Sequence, residues 1–417
     1  MPRPPDRPPV QLPVAPWMAA DSTRAVIGAL EAAGGPGAAR FVGGCVRNLL
    51  VGRAIDDIDI ATVLTPDAVM AALKAAGVRF VPTGLEHGTI TAISDSRPYE
   101  VTTLRRDVET DGRRAVVAFT TDWTEDAERR DFRLNALYMD GEGRLYDPTG
   151  SGVEDARAGR IVFVGDASTR IREDYLRILR FFRFGAWFGH GAADPAGLAA
   201  CAALKDGLQR LSAERVSKEL LKLLAAPDPR RSMDEMAKAG ALAVILPEAR
   251  PLDRLRALVE IDNGLDAIDA ELRLAALLPG DPAAAGLAAQ RLRLSNAQRE
   301  RLEAAVEPDP EIGPDMTEAE ARRRLYRLGA GAFADRLKLK WAEQGGEAAA
   351  WLALLALARD WTAPKFPLTG HDAAAAGLKP GPALGEALRA AEAFWIEQDF
   401  QPDRDALLAR LEAGREP

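Results

Sequence analysis

Asp57 and Asp59 stand two residues apart in the run DDIDIA, residues 56–61. In an extended strand side chains alternate between faces, so the two carboxylates point one way while Ile58 and Ile60 point into a core. Upstream, Phe41-Val42 forms a short apolar strand that ends in Gly43-Gly44. A helical stretch follows with Val46, Leu49 and Leu50 as its apolar face, carries Arg47 on another side and stops at Gly52. Two carboxylates on one strand face can hold Mg²⁺, and the backbone N–H groups of a glycine turn together with an arginine can receive a triphosphate. Each part also has a plainer reading. A D-x-D pair is often two solvated positions on a half-exposed strand, and most Gly-Gly pairs are only turns.

Two further clusters follow. Residues 125–140, EDAERRDFRLNALYMD, read as one helix with Phe132, Leu134 and Leu137 inward and with Arg129, Arg130, Asp131 and Asn135 as its polar members. Residues 171–184, IREDYLRILRFFRF, read as a second helix. Asp174, Arg177, Arg180 and Arg183 recur every three residues there, so one face presents an acid followed by a ladder of arginines. Taken alone, both are charged solvated faces. Glu100, in the segment YEVTTL, is either a third carboxylate beside the pair or a surface glutamate.

In this order and spacing, these residues resemble the bacterial class II CCA-adding tRNA nucleotidyltransferases and poly(A) polymerases. The family pattern is GG-x-VRD-x-LLG, a short gap, D-x-D, then RRDF-x-x-NA and EDxLRxLRxxRF. Asn48 stands where the family has Asp. The resemblance implies template-independent addition of CMP and AMP to the 3′ end of tRNA, with ATP and CTP as substrates and pyrophosphate released. It implies Asp57 and Asp59 as catalytic ligands of Mg²⁺, serving the attacking 3′-hydroxyl and the departing pyrophosphate. Gly44, Arg47, Arg130, Arg180 and Arg183 would surround the triphosphate, Asp131 would help to select ribose, and Asp174 with Arg177 would read the base edge. That last role is chemically coherent, since a carboxylate accepts from the exocyclic amine shared by cytosine and adenine while a guanidinium donates to ring nitrogen or carbonyl. The alternatives within the superfamily are a poly(A) polymerase or an enzyme adding only CC or only A. Outside it stands an RNA-binding protein without activity, against which the intact Asp57 and Asp59 argue.

The elements that must position these groups make an α+β chain: a small nucleotidyltransferase-type mixed-sheet head, then an all-helical neck, body and tail. Residues 1–16, MPRPPDRPPVQLPVAP, are too proline-rich for helix or sheet interior and read as a disordered or extended leader. Residues 17–150 form the head. In it Thr65-Pro66 starts a helix, residues 79–82 are a strand, and residues 87–93 and 99–104 are an antiparallel pair. Residues 105–118 carry many charges and read as a surface loop, which the resemblance places near the site. Residues 151–227 form the neck. Its segment LSAERVSKEL at 211–220 braces the base-reading helix, with Arg215 and Glu219 spaced to pair. Residues 228–310 and 311–417 are helical body and tail. In the tail Arg322, Arg323, Arg324, Arg327 and Arg336 are either a solvated face or an RNA-contacting surface.

At 417 residues the chain exceeds one compact core. Its net charge of −8 confines any nucleic-acid contact to local basic patches. Two distant cysteines, Cys45 and Cys201, exclude a disulfide framework or cysteine zinc site and fit a reducing cytoplasm. The three histidines are scattered without metal spacing. No apolar run is long enough to span a bilayer, and no signal peptide is expected ahead of the first domain.

Overall fold

The computed structural model describes residues 10–111 and 114–413. Contacts divide the chain into two units, residues 1–247 and 248–417. The helices Arg230–Lys238 and Ala241–Ile245 therefore belong to the first unit and not to a body starting at residue 228.

In the first unit the strands are β1 (Val10–Gln11), β2 (Ala39–Val42), β3 (Asp59–Thr62), β4 (Arg79–Gly84), β5 (Thr89–Ser94), β6 (Arg97–Thr103), β7 (Arg105–Asp111), β8 (Arg114–Phe119), β9 (Tyr138–Met139) and β10 (Arg144–Tyr146). Eight of them form one sheet in the order β1-β10-β9-β2-β3-β6-β5-β4, and β7-β8 is a separate hairpin. Within the eight, β3 and β6 run parallel and set Asp59 beside Glu100; the other pairings are antiparallel.

One face of the sheet carries Phe41, Ile58, Ile60, Tyr99 and Val101, all buried. It lies under the helix Asp21–Gly34, whose Thr23 and Ser22 hydroxyls meet the Tyr99 phenol at 3.1 and 2.8 Å. The other face has its own core of Val42, Ala61, Leu104, Ala127, Ala136, Tyr138 and Val164. Alternation along β3 and β6 places Asp59 and Glu100 at the edge of that second core. The helix Pro66–Ala75 is capped by the Thr65 hydroxyl, as the Thr-Pro signal requires.

Four expectations need correction. Of the leader, residues 1–9 lie outside the described residues, but Val10–Gln11 pairs with β10 and a helix starts at Pro16. The charged segment 105–118 is the β7-β8 hairpin, not a loop, with residues 112 and 113 outside the described residues.

Residues 125–140 are not one helix. The helix is Trp123–Glu128; the backbone of residues 131–133 then turns to pair with residues 162–164, Arg133 donating to the Val162 carbonyl and Val164 to that of Asp131. The single turn Arg133–Asn135 and β9 follow. Nor is 171–184 continuous. It comprises the helices Ala167–Glu173 and Leu176–Phe188, with Asp174 extended between them (φ −153°, ψ 106°). The Asp174 carboxylate accepts from the Leu176 amide at 3.1 Å, so the residue acts as a local cap instead of a helical position.

The second unit is helical throughout its described residues. One core gathers Ile312, Leu325, Phe333, Leu337 and Trp351, and a second gathers Leu368, Trp395, Ile396 and Leu407. No division falls at residue 310: Arg301 of the helix Asn296–Val306 reaches Asp335 of the helix Ala330–Gln344 at 2.8 Å, and Arg336 pairs with Glu307. The tail arginines largely serve their own unit. Arg322 pairs with Asp399 (2.6 Å) and Glu318 (3.1 Å), and Arg324 with Asp309 and Glu311. Asp262 and Arg273 form a fully buried pair at 2.8 Å.

One glycine approaches closely beside the Asp174 kink. A Cβ on Gly207 would lie 2.0 Å from the ring of Tyr175, the residue that follows Asp174. Gly207→Ala must displace that ring, which is expected to cost about 1–3 kcal/mol and to lower the Tm in a calorimetric scan.

Candidate active site

The glycine turn is built on backbone geometry that only glycine adopts freely. Gly43 sits at φ +71°, ψ −120°, and starts the helix Gly44–Leu50. Its own N–H is not open to a ligand, because it donates to the Leu137 carbonyl at 3.2 Å. Cys45, one residue into the helix after Gly44, is buried and donates to the Val42 carbonyl at 3.4 Å, with the Asp59 carbonyl 3.8 Å away. The turn, its helix and the first carboxylate strand are thereby one rigid body.

Arg47 projects from that helix and is 8% exposed. Its Nη1 donates to Asn135 Oδ1 at 2.5 Å, and its Nε and Nη2 donate to Asn48 Oδ1 at 3.1 and 2.8 Å. Among the described residues no carboxylate lies within ion-pair distance of it. Burial, and then the nearby Arg183, push its pKa down to about 10, with Asp131 working against the shift. Asn48 also donates from Nδ2 to the Ala54 carbonyl at 2.7 Å, tying the segment that leads to Asp57. A carboxylate at position 48 could accept from Arg47 but could not make that second bond.

From Asn135 the network continues. Asn135 Nδ2 donates to Asp131 Oδ1 at 3.1 Å, and Asp131 Oδ2 accepts from Arg180 Nε at 2.7 Å and Nη2 at 2.5 Å. Burial pushes the Asp131 carboxyl up, but the Arg180 guanidinium more than reverses this and holds it below the usual range. Asp131, expected on ribose, thus gives both oxygens to protein partners. Arg183 pairs with Glu219 at 2.6 Å, so Glu219 is taken and the Arg215–Glu219 pair expected from spacing does not form. Arg215 instead donates to Asp174 Oδ2 at 2.7 Å. Arg177 is held by Glu173 and by the carbonyls of Arg170 and Arg129, at 2.8 and 3.2 Å. Asp174 and Arg177 therefore each have a separate anchor and do not share one helix face.

Arg130 Nη2 bonds Asp126 at 2.9 Å, and its Nε meets the Tyr138 hydroxyl at 3.1 Å. Burial opposes the Arg130 charge, but Tyr138 and Asp126 more than restore it. Asp126 is held down to about 2, because Arg130 and Arg129 outweigh its burial. Arg130 Nη1 comes within 3.7 Å of where a Cβ on Gly43 would stand, and its charge acts on Asp59. Asp57 is exposed in the extended segment just before β3. The Asp59 carboxyl is pushed up to about 6 by burial, then by Glu100 and by Asp57, against the pull of Arg130. Among the described residues no group of three His, Cys, Asp or Glu side chains forms a metal cluster.

Asn135 and Asp131 thus link Arg47 to Arg180, while Arg130 lies beside the glycine turn with its charge acting on Asp59. Sequence reading assigned no role to Asp126 or Glu173, and read Asn135 only as part of a motif. Asp126 stands three residues before Arg129 and four before Arg130, spacings that pair on a helix. Glu173 stands four residues before Arg177, a spacing that pairs on a helix.

Comparison with known proteins follows this geometry. Residues 39–162 match the family model described as the poly A polymerase head domain, and residues 194–252 match the one described as the probable RNA and SrmB-binding site of polymerase A. The mitochondrial CCA tRNA nucleotidyltransferase 1 of Danio rerio is 33% identical over 397 residues, which span 89% of this chain and 86% of that protein. A CCA-adding enzyme of Oceanobacillus iheyensis is 44% identical over 185 residues, 44% of this chain and 45% of that one. Among solved structures, the Bacillus stearothermophilus CCA-adding enzyme in complex with CTP superposes with a TM-score of 0.75 at 27% identity, over 95% of this chain and 98% of that chain. The Thermotoga maritima CCA-adding enzyme complexed with tRNA shares the fold, with a TM-score of 0.66 at 19% identity over 91% of each chain.

The raised pKa of Asp59 gives a pH test. The fold favours its neutral form, so that contribution to stability is fully present below the ordinary aspartate pKa and is lost as the pH rises through about 6. Asp59→Asn stays neutral throughout. Its Tm should match the parent below pH 4 and exceed it by at least about 2 °C at pH 8 without divalent cation. An equal or lower Tm at pH 8 would contradict the cost of ionising Asp59 in the fold.

Proposed function

Because the chain belongs to the CCA tRNA nucleotidyltransferase family, we propose that it adds CMP and AMP to the 3′ end of tRNA without a nucleic-acid template, releasing pyrophosphate. The observation that carries this reading is Arg47: a buried guanidinium with two amide partners and no paired carboxylate, on the helix that leads from the glycine turn toward the strand of Asp59. A buried cation without a paired carboxylate, and a half-buried acid whose burial and acidic neighbours outweigh the pull of Arg130, are both relieved by a ligand that supplies both signs, as a nucleoside triphosphate with a divalent cation does.

Asp57 and Asp59 hold that cation. The donors are hard oxygens, and the upward shift of Asp59 is the strain that a cation relieves, so the residues fit Mg²⁺. Bound there, Mg²⁺ supplies positive charge for the attacking 3′-hydroxyl and for the departing pyrophosphate. Arg47, Arg130, Arg180 and Arg183, with the turn at Gly44, bind the triphosphate and offset the charge that grows on the leaving group. Asp131 orients Arg180 directly and Arg47 through Asn135. Asp174 and Arg177 read the base, the acid accepting from the exocyclic amine of cytosine or adenine. Their separate anchors on Arg215 and Glu173 support this, since a reader that replaces a template strand must be held in one orientation.

No helix of the described residues is long and apolar enough to cross a membrane. The two cysteines are free and buried, which fits work in a reducing cytoplasm.

The reaction is tested with purified protein, Mg²⁺, labelled CTP or ATP, and tRNA transcripts ending before CCA, after CC, or complete. Addition of CCA to the first and A to the second is expected. Extension of a poly(A) primer with the transcripts untouched would select a poly(A) polymerase, and addition confined to one transcript would select a CC- or A-adding enzyme.

Three substitutions test the roles. Asp57→Ala and Asp59→Ala should each lower kcat at least about a hundredfold with tRNA binding retained. Asp174→Ala should lose kcat/KM for CTP and ATP and gain relative use of UTP or GTP, a shift of about ten- to a hundredfold from one charged hydrogen bond. A uniform fall over all four nucleotides would remove Asp174 from base reading.

A further inference from the structure

Most arginines around the candidate site have a carboxylate partner, among them Arg130 with Asp126, Arg177 with Glu173, Arg180 with Asp131 and Arg183 with Glu219. Arg47 has none, and neither does Arg53 among the described residues. Arg53 follows Gly52, which turns at φ +70° just past the Gly44–Leu50 helix, and its backbone N–H donates to the Asn48 carbonyl at 2.8 Å. Its side chain is exposed yet not adrift. The guanidinium carbon lies 4.7 Å from the ring centroid of Phe188, the last residue of the Leu176–Phe188 helix. The same ring carries the Arg47 guanidinium at 3.9 Å.

We propose that Arg53 and Arg47, stacked together on Phe188, form a phosphate-binding subsite in which Arg53 is a binding residue of its own. This rests on the reading of the chain as a nucleotidyltransferase. A ring stacked against a guanidinium fixes its plane while leaving the N–H edge free to donate, so the fork is oriented before any ligand arrives. Two guanidiniums on one ring repel each other, and Arg53 adds to the downward pressure on Arg47. With no carboxylate paired to either guanidinium, an anion from outside the protein relieves this repulsion. Planar forked donors in that arrangement fit phosphate oxygens. The phosphate can belong to the tail of the incoming nucleotide or to the RNA backbone.

Full-length Arg53→Gln, Arg53→Lys and Phe188→Leu separate the sources. Dissociation constants for CTP, ATP and inorganic pyrophosphate in Mg²⁺ are read by calorimetry. The tRNA dissociation constant is read against salt concentration, and the Tm is recorded for each variant. If the nucleotide tail occupies the subsite, Arg53→Gln should raise the CTP, ATP and pyrophosphate constants together by about tenfold with an unchanged Tm. Arg53→Lys, which keeps the charge without the stacked fork, should fall between, and Phe188→Leu should reproduce or exceed the Gln effect. If RNA phosphate occupies it, the tRNA constant should rise and its log–log salt slope should flatten by about 0.7–0.9, with nucleotide constants unmoved. Wild-type constants in Arg53→Gln on both arms, or a change in Tm alone, would overturn the proposal. These binding arms need no turnover, so a parent protein that binds pyrophosphate but fails to extend tRNA would count against the enzyme reading and not against the subsite.

Discussion

A guanidinium shut away from water with only amides as hydrogen-bond partners is the constraint on which the head depends. Burying Arg47 costs solvation that Asn48 and Asn135 repay only in part, since neutral hydrogen bonds do not replace a counter-charge. Much of the surrounding architecture keeps that cation from escaping or being neutralised. Gly43 starts its helix at a positive φ, Cys45 fixes the helix to the sheet, and Asn135 holds Asp131 one side chain away so that its charge goes to Arg180. The fold carries an unpaired positive charge at Arg47 and an acid held above its ordinary pKa at Asp59, and this imbalance is the mark of a ligand site more than of a stable core.

The neck shows a different solution to the same problem. Its arginines are neutralised one by one, by Asp131 from the head segment, by Glu219 from the helix Ala213–Leu224 and by Glu173 from the helix just before. Each pair crosses between elements, so the ladder works as a set of struts. The kink at Asp174 belongs to this scheme. Freed from helical geometry, its carboxylate reaches both the Leu176 amide and Arg215, and its direction is then set by two donors.

Much of this was legible in the sequence because periodicity speaks directly about faces. The alternation at residues 57–60 places both isoleucines in the core and Asp59 on the opposite face, and the mixed-sheet head with a helical remainder follows from the change of period along the chain. What was not legible depends on partners far away in sequence. Asn135 and Arg215 are ordinary polar residues until Arg47 and Asp174 are brought to them. The long helices read at 125–140 and 171–184 fail where backbone groups find better partners across the chain, as at residues 131–133 with 162–164. The tail arginines look like a nucleic-acid surface in one dimension because the acids that pair with them, such as Asp399 for Arg322, stand tens of residues away.

The two cysteines carry a consequence of another kind. Cys45 lies between the glycine turn and the Asp59 strand, and Cys201 lies within the neck helix Pro195–Leu204; both are free and almost wholly buried. Burial also pushes both thiols up, Cys45 to about 11, so neither forms a thiolate readily in the closed protein. A soluble alkylating reagent can label them only when the element around each one opens. The chain therefore contains two built-in clocks, one in the head and one in the neck, and their labelling rates would show whether the two breathe together or apart.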